Sequence, residues 1–199
     1  KKNQKIKSKD LKNKFDFYGS DKASSHNYHL LYSNLFNSNK MVENIFEIGL
    51  GTNNTKIVST MGSKGSPGAS LRAFRDYFKN AFIYGADIDS EILFTENRIK
   101  TFYIDQTNRN SFAQLINKTE GIKFDLMIDD GLHLPSANIH SLEFFLPKLK
   151  KNGWAIIEDI NEETVPFWNS IGSILPSKYE SYIFEAKGAS FVYAVKRIS

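Results

Sequence analysis

Apolar and polar positions change rhythm along this chain. From about residue 44, short β-like runs alternate with stretches of helical period. Asn44–Ile48 reads as a first strand, Ala81–Ala86 as a second and Thr101–Ile104 as a third. Phe124–Ile128 and Trp154–Ile157 read as a fourth and a fifth. Ser70–Phe78 has Leu71, Phe74 and Phe78 at helical spacing, and Ser136–Leu149 has Ile139, Leu142, Phe145, Leu146 and Leu149. Strand–helix alternation predicts a parallel sheet with helices on both faces. Tyr182–Phe184 and Phe191–Val195 flank Lys187-Gly188 with little between them, so they are expected to pair as an antiparallel hairpin at one sheet edge. Residues 51–68 hold four glycines, one proline and several serines and threonines, the composition of a loop long enough to cover a site.

Composition narrows the classes. The 199 residues are 41% apolar and 24% charged, an ordinary globular balance. No apolar run approaches the ~18–20 residues that cross a bilayer. The chain has no cysteine, which excludes disulfides, thiolate metal sites and cysteine nucleophiles; a cytoplasmic location is the expectation. The net charge is +4, but residues 1–14 hold seven lysines and one aspartate, which leaves residues 15–199 slightly acidic. Residues 1–14 read as a basic, flexible tail. No basic face interleaved with aromatics follows, so nucleic acid is not an expected partner, and neither is a membrane.

Ligands of open α/β sheets bind at the carboxyl ends of the strands, and in this chain every such end carries an acid. The first strand runs into Glu47-Ile-Gly49-Leu-Gly51, the second into Asp87-Ile-Asp89, the third into Asp105-Gln106. The fourth runs into Asp129-Asp130-Gly131-Leu132-His133 and the fifth into Glu158-Asp159. Glycines allow a tight turn and a close ligand, and an acid such as Asp87 can accept both hydroxyls of a ribose. A nicotinamide enzyme is disfavoured: Asn54 stands where the third fingerprint glycine belongs, and Asp87 lies 36 residues past Gly51 instead of about 20. No Gly-Lys-Ser/Thr follows the first strand, so a P-loop is absent as well. Of the remaining histidines, His26 and His29 lie in an aromatic-rich segment, and His140 sits on a predicted helix as a packing or surface residue.

Glu47-Ile-Gly-Leu-Gly51 with Asp87 and Asp105 resembles the cofactor site of class I S-adenosylmethionine-dependent methyltransferases. Tyr18-Gly-Ser-Asp-Lys22, Gly68-Ala-Ser-Leu-Arg72, Ile128-Asp-Asp-Gly-Leu-His133 and Glu158-Asp159 together resemble the metal-dependent macrolide sugar O-methyltransferases and a related cephalosporin-hydroxylase-like group. The resemblance covers roughly residues 15–165. It implies a Rossmann-like, mostly parallel seven-stranded sheet closed by the C-terminal antiparallel hairpin. Residues 15–199 would then be a single methyltransferase domain, with 15–40 a helical cover and 44–199 the core.

The resemblance also implies roles. Gly49 and Gly51 would approach the methionine part of the cofactor, Asp87 its ribose, and Asp105 and Gln106 its adenine. Glu47, Ser70, Arg72, Asp89 and Asp129 fall in the same cofactor-binding set. Asp130, Glu158 and Asp159 would hold Mg²⁺ or Mn²⁺, hard ions that favour oxygen ligands. His133 would take the proton from an acceptor hydroxyl. Tyr18, Asp21, Lys22, His26 and Tyr28 would face the acceptor, a sugar or natural-product precursor. A metal-independent small-molecule methyltransferase and a non-catalytic cofactor-binding scaffold are the alternatives, and a homo-oligomer is compatible with either.

Overall fold

The computed structural model describes residues 2–36, 38–188 and 190–199. Eight strands form one sheet: β1 Asn44–Ile48, β2 Phe82–Asp87, β3 Thr95–Glu96, β4 Ile99–Tyr103, β5 Phe124–Asp129, β6 Leu149–Ile160, β7 Tyr179–Ala186 and β8 Ser190–Arg197. Their order across the sheet is β3-β4-β2-β1-β5-β6-β8-β7. The central strands β4, β2, β1, β5 and β6 are parallel, and the edge pair β8–β7 is an antiparallel hairpin. The innermost strands β1, β2 and β5 are mostly apolar because a parallel sheet is covered on both faces; in β1, Ile45, Phe46 and Ile48 are buried, and so is Glu47.

Two apolar cores lie on opposite faces. One gathers α1 (Lys2–Tyr18), α2 (Tyr28–Tyr32) and α3 (Ala69–Tyr77) through Leu11, Phe15, Tyr32, Leu71 and Phe74. The other gathers α4 (Arg109–Lys118), α5 (Pro135–Phe145) and α6 (Val165–Ile174) through Phe112, Leu115, Leu142, Phe144 and Trp168. From β1 the chain runs outward to β2 and β4, then crosses back to β5 on the other side of β1. The connections part there, which opens a crevice above the carboxyl ends of the two strands. Among the described residues, no helix is long and apolar enough to cross a membrane.

Three expectations need correction. The basic N-terminal segment is helical from Lys2 onwards (residue 1 lies outside the described residues). Leu11 and Phe15, four apart, are fully buried, and the Phe15 ring packs edge-on against Phe74 at 5.3 Å. The lysines mask this apolar stripe in composition. Second, the sheet has eight strands rather than seven, the extra one being the two-residue β3. Third, Leu149 opens β6 instead of ending a helix. The helix stops at Phe145 and a 3-10 turn follows over Leu146–Lys148. Pro147 has no N–H to donate the next helical hydrogen bond.

Candidate functional site

The crevice above β1, β2 and β5 contains a cavity of about 390 Å³. Gly49, Asp87, Asp105 and Gln106 border it, and Lys56 to Ser59 of the long loop close one side. Gly49 has φ +89°, and a Cβ there would lie 2.0 Å from the Asp130 carbonyl oxygen. Only glycine lets the β1 and β5 loops approach this closely. Asp87 accepts hydrogen bonds from the backbone N–H of Leu50 (2.6 Å) and of Asp89 (2.9 Å), while burial pushes its carboxyl up. Asp105 accepts from the Thr107 N–H and hydroxyl at the rim.

Several residues expected at the cofactor have other partners. Asp129 is fully buried: Gln106 Nε2 (2.8 Å) and the Gly131 N–H (3.1 Å) donate to one oxygen, and Asn138 Nδ2 (2.9 Å) donates to the other. Gln106 also donates to Ser141 and accepts from the Leu132 N–H, so its amide props the β5 loop from the cavity wall. Asp89 accepts from the Thr52 hydroxyl and caps a short 3-10 turn. Arg72 is paired with Glu96, donates to the Pro67 carbonyl and lies over the Phe94 ring. Gly51 borders the smaller cavity beside His133. Tyr18 donates to Asp76 on α3 at 2.6 Å and does not face the crevice. His140 accepts from Arg109 and bonds the Gln106 carbonyl, a packing role.

Beneath the crevice lies a buried ionic cluster. The Lys22 ammonium, 2% exposed, stands 2.7 Å from Asp130 and 3.2 Å from Glu47, and it also bonds Glu158. Tyr32 donates to the other oxygen of Glu158, and Ser70 donates to Glu47 at 2.8 Å. One cation thus faces three carboxylates, so the cluster lacks positive charge. Burial pushes Glu47 up to about 7, with Lys22 opposing and Asp130 reinforcing. Burial, with Asp130 and Glu47, also holds Glu158 far above the ordinary carboxylate range despite Lys22.

The Glu47 shift has a sign that can be tested. Its ordinary value is 4.5 and its folded value about 7. Between these the folded chain holds a proton that the unfolded chain has released, so stability falls as pH rises through that window. Urea unfolding at pH 5, 6 and 7 is expected to show a loss of up to about 1.4 kcal/mol per unit from this group. Glu47→Gln should flatten that slope; an unchanged slope would refute the assignment.

Above the cluster, Asp130, His133 and Asp159 place ligand-type atoms within 4.8 Å of one another. His133 Nε2 is 3.9 Å from Asp130 Oδ1 and 4.0 Å from Asp159 Oδ2, beyond hydrogen-bond reach. The gap suits something between them. His133 (φ +55°) and Asp159 (φ +53°) both hold left-handed backbone, a strain that collects at functional sites. Tyr28 donates to Asp159 at 2.5 Å and stacks on His26, 4.7 Å between centroids. Burial raises Asp159, but the Tyr28 hydroxyl and the His26 and His133 charges bring it below its ordinary value. Asp21, Lys22, His26 and Tyr28 border a small cavity with Asp130, His133 and Asp159. Of the acceptor-facing set, only Tyr18 lies elsewhere.

Sequence reading treated Glu158 as an ion ligand and did not foresee that Lys22 and Tyr32 occupy it. One signal was available. Tyr28 and Tyr32 are four apart on α2, so their side chains share a helix face. They reach the adjacent Asp159 and Glu158, respectively.

No protein-family model matches the chain. In sequence it is 28% identical over 150 residues to 8-demethyl-8-alpha-L-rhamnosyl tetracenomycin-C 2'-O-methyltransferase of Streptomyces olivaceus, covering 75% of this chain and 37% of that enzyme. It is 33% identical over 105 residues to mycinamicin VI 2''-O-methyltransferase of Micromonospora griseorubida, covering 53% of this chain and 25% of that enzyme. In structure it matches MycE methyltransferase from the mycinamycin biosynthetic pathway, solved in complex with Mg, SAH and mycinamycin VI. That match has a TM-score of 0.74 at 22% identity over 95% of this chain and 53% of the other. The chain therefore spans about half or less of the length of these relatives. It has the methyltransferase fold, and it is similar in sequence to sugar O-methyltransferases.

Proposed function

We propose that this chain carries an S-adenosylmethionine- and divalent-metal-dependent O-methyltransferase centre that acts on a hydroxyl of a sugar or another small metabolite. One observation supports it most. The 390 Å³ cavity and the small acidic cavity beside it share Gly49, Ser59 and Asp87 as a common wall. A cofactor in the first would lie next to an acceptor in the second. The relatives named above act on sugar hydroxyls, and MycE holds Mg and SAH.

The residues fit both groups. Gly49 admits the cofactor close to the backbone, while Asp87 and Asp105 stand where ribose and adenine donors would arrive. Asp130 and Asp159 offer hard oxygens to Mg²⁺. When bound, the sulfonium supplies an electrophilic methyl with a neutral leaving group, and the ion makes an acceptor hydroxyl more acidic. His133 Nε2 receives the hydroxyl proton. Tyr28 and His26 hold Asp159 in place, and the Lys56–Ser59 stretch excludes water from the cofactor side. Holding acceptor and cofactor in fixed orientation supplies much of the acceleration. A second reading, with His133 as a third ligand, is favoured by the near-equal distances from its Nε2 to both carboxylates.

Isothermal titration with S-adenosylhomocysteine, first with Mg²⁺ and then with EDTA, tests the proposal. Binding is expected in both conditions, with methyl transfer to an acceptor lost in EDTA. Transfer that survives EDTA would leave a metal-independent enzyme. Absence of binding in both would remove the methyltransferase reading.

A further inference from the structure

The imidazole of His133 has no orienting partner of its own. Its Nδ1 is buried without a hydrogen-bond partner among the described residues, and its Nε2 stands 3.9 Å from Asp130 and 4.0 Å from Asp159. A working imidazole is ordinarily fixed by a hydrogen bond at its other nitrogen. Here the place of the ring depends on the backbone that carries it. That backbone is left-handed, φ +55°, and such a conformation persists only where the surrounding structure over-determines it.

The constraint comes from across the crevice. Gln106, just past β4, is 6% exposed, and both donors of its amide are in use. Nε2 donates to Asp129 Oδ1 at 2.8 Å and to Ser141 Oγ at 2.9 Å, while Oε1 accepts from the Leu132 N–H at 2.8 Å. Asp129 and Leu132 flank Asp130-Gly131, so one amide buckles both ends of the turn that leads into His133. The fit is tight: a Cβ at Gly131 would lie 2.0 Å from Gln106 Oε1. Gln106, Gly131 and Leu132 also border the larger cavity, whereas His133 borders the smaller one. The buckle therefore spans the wall between the two.

We infer that Gln106 is a positioning residue: it holds His133 in place through the Asp129–Leu132 turn, and it ties that hold to occupancy of the larger cavity. A ligand lying against Gln106 and Leu132 restricts the amide, and the turn with it. The imidazole is then set for its work when the larger cavity fills, before an acceptor enters the smaller one. The work assigned to His133 rests on the methyltransferase reading; the mechanical link from Gln106 to His133 does not.

The chain has four histidines, so imidazole NMR signals are few, and His133→Ala identifies the one from His133. S-adenosylhomocysteine serves as the probe. In wild type it is expected to shift the His133 signal and to slow amide hydrogen exchange at Leu132. Gln106→Met keeps the side-chain bulk and removes its hydrogen bonds. Without ligand it should speed Leu132 exchange about two- to tenfold, the loss of one hydrogen bond, and its His133 signal should move and no longer respond to the probe. Leu115→Ala weakens the core on the α4 face without touching the turn, so its His133 signal should stay at the wild-type position; a merely structural Gln106 would make the two variants alike. If Gln106→Met does not fold, Gly131→Ala, which presses a methyl onto the amide, should move the same signal. A folded Gln106→Met with wild-type His133 signal and Leu132 exchange overturns the inference. So does wild-type protein that binds the probe with neither readout changed. Failure of the probe to bind, with the Gln106→Met effects present, keeps the link and removes the methyltransferase reading instead.

Discussion

Lys22→Met is expected to cost about 3–5 kcal/mol of folding stability near pH 8, the range for removing one partner of a buried ion pair. For a chain of this size that is a fall of roughly 2–4 °C in Tm for each kcal/mol. The methionine keeps the apolar stem, so the loss isolates the charge. Lys22 is 2% exposed, and its ammonium alone faces Glu47, Asp130 and Glu158. Burial opposes its charge, yet those carboxylates hold its pKa well above the ordinary lysine value. Without it they must take up protons or repel, and their folded pKa values rise further. The folded variant then binds more protons than its unfolded chain, so its stability falls as pH rises. The deficit should shrink at pH 5 and widen at pH 8. Thermal unfolding followed by circular dichroism at both values checks this. A variant as stable as wild type at pH 8 would show that Lys22 does not anchor the cluster.

His133→Ala is expected to lower turnover by about 10²–10⁴-fold, the usual contribution of a positioned proton acceptor. S-adenosylhomocysteine should bind as before, because His133 does not border the larger cavity. The same variant separates the two roles proposed for this imidazole. Unchanged Mn²⁺ affinity with lost turnover assigns proton removal, whereas a matching fall in Mn²⁺ affinity makes it a ligand. Turnover within tenfold of wild type would count against both.

Much of the frame was legible because its signals are local. Asn44–Ile48 is a strand in sequence and in structure, since a run flanked by polar residues and a Gly-x-Gly leaves no other reading. The C-terminal hairpin follows from its short connection. That Gly49, Asp87 and Asp105 border the 390 Å³ cavity follows from strand ends alone. What remained hidden is set by contacts distant in sequence. Asp129 and Asp130 are adjacent and chemically identical, yet one is sealed among Gln106, Asn138 and Gly131 and the other faces the small cavity. Alternation along the extended β5 end sends them to opposite sides, but which side holds donors depends on α5. Similarly, Lys22 reads as an acceptor-facing residue, and only α2 and β6, which bring Tyr32 and Glu158 around it, make it the centre of a buried ionic cluster. The helix over residues 2–18 is disguised by its lysines, because two buried positions four apart suffice to dock it on α3.

The left-handed backbone at His133 and Asp159 sets stability against use. Glycine would relieve each of roughly 1–2 kcal/mol of strain. A search for heat-tolerant variants that ranks positions by backbone geometry would therefore pick these two among the first. At His133 that relief removes one of the side chains that flank the small cavity, and at Asp159 it is also offset by the hydrogen bonds lost to Tyr28 and Ser190. Selection for persistence alone would drift toward the loss of His133, so its continued presence in descendants of this chain would itself be a record that the site is in service.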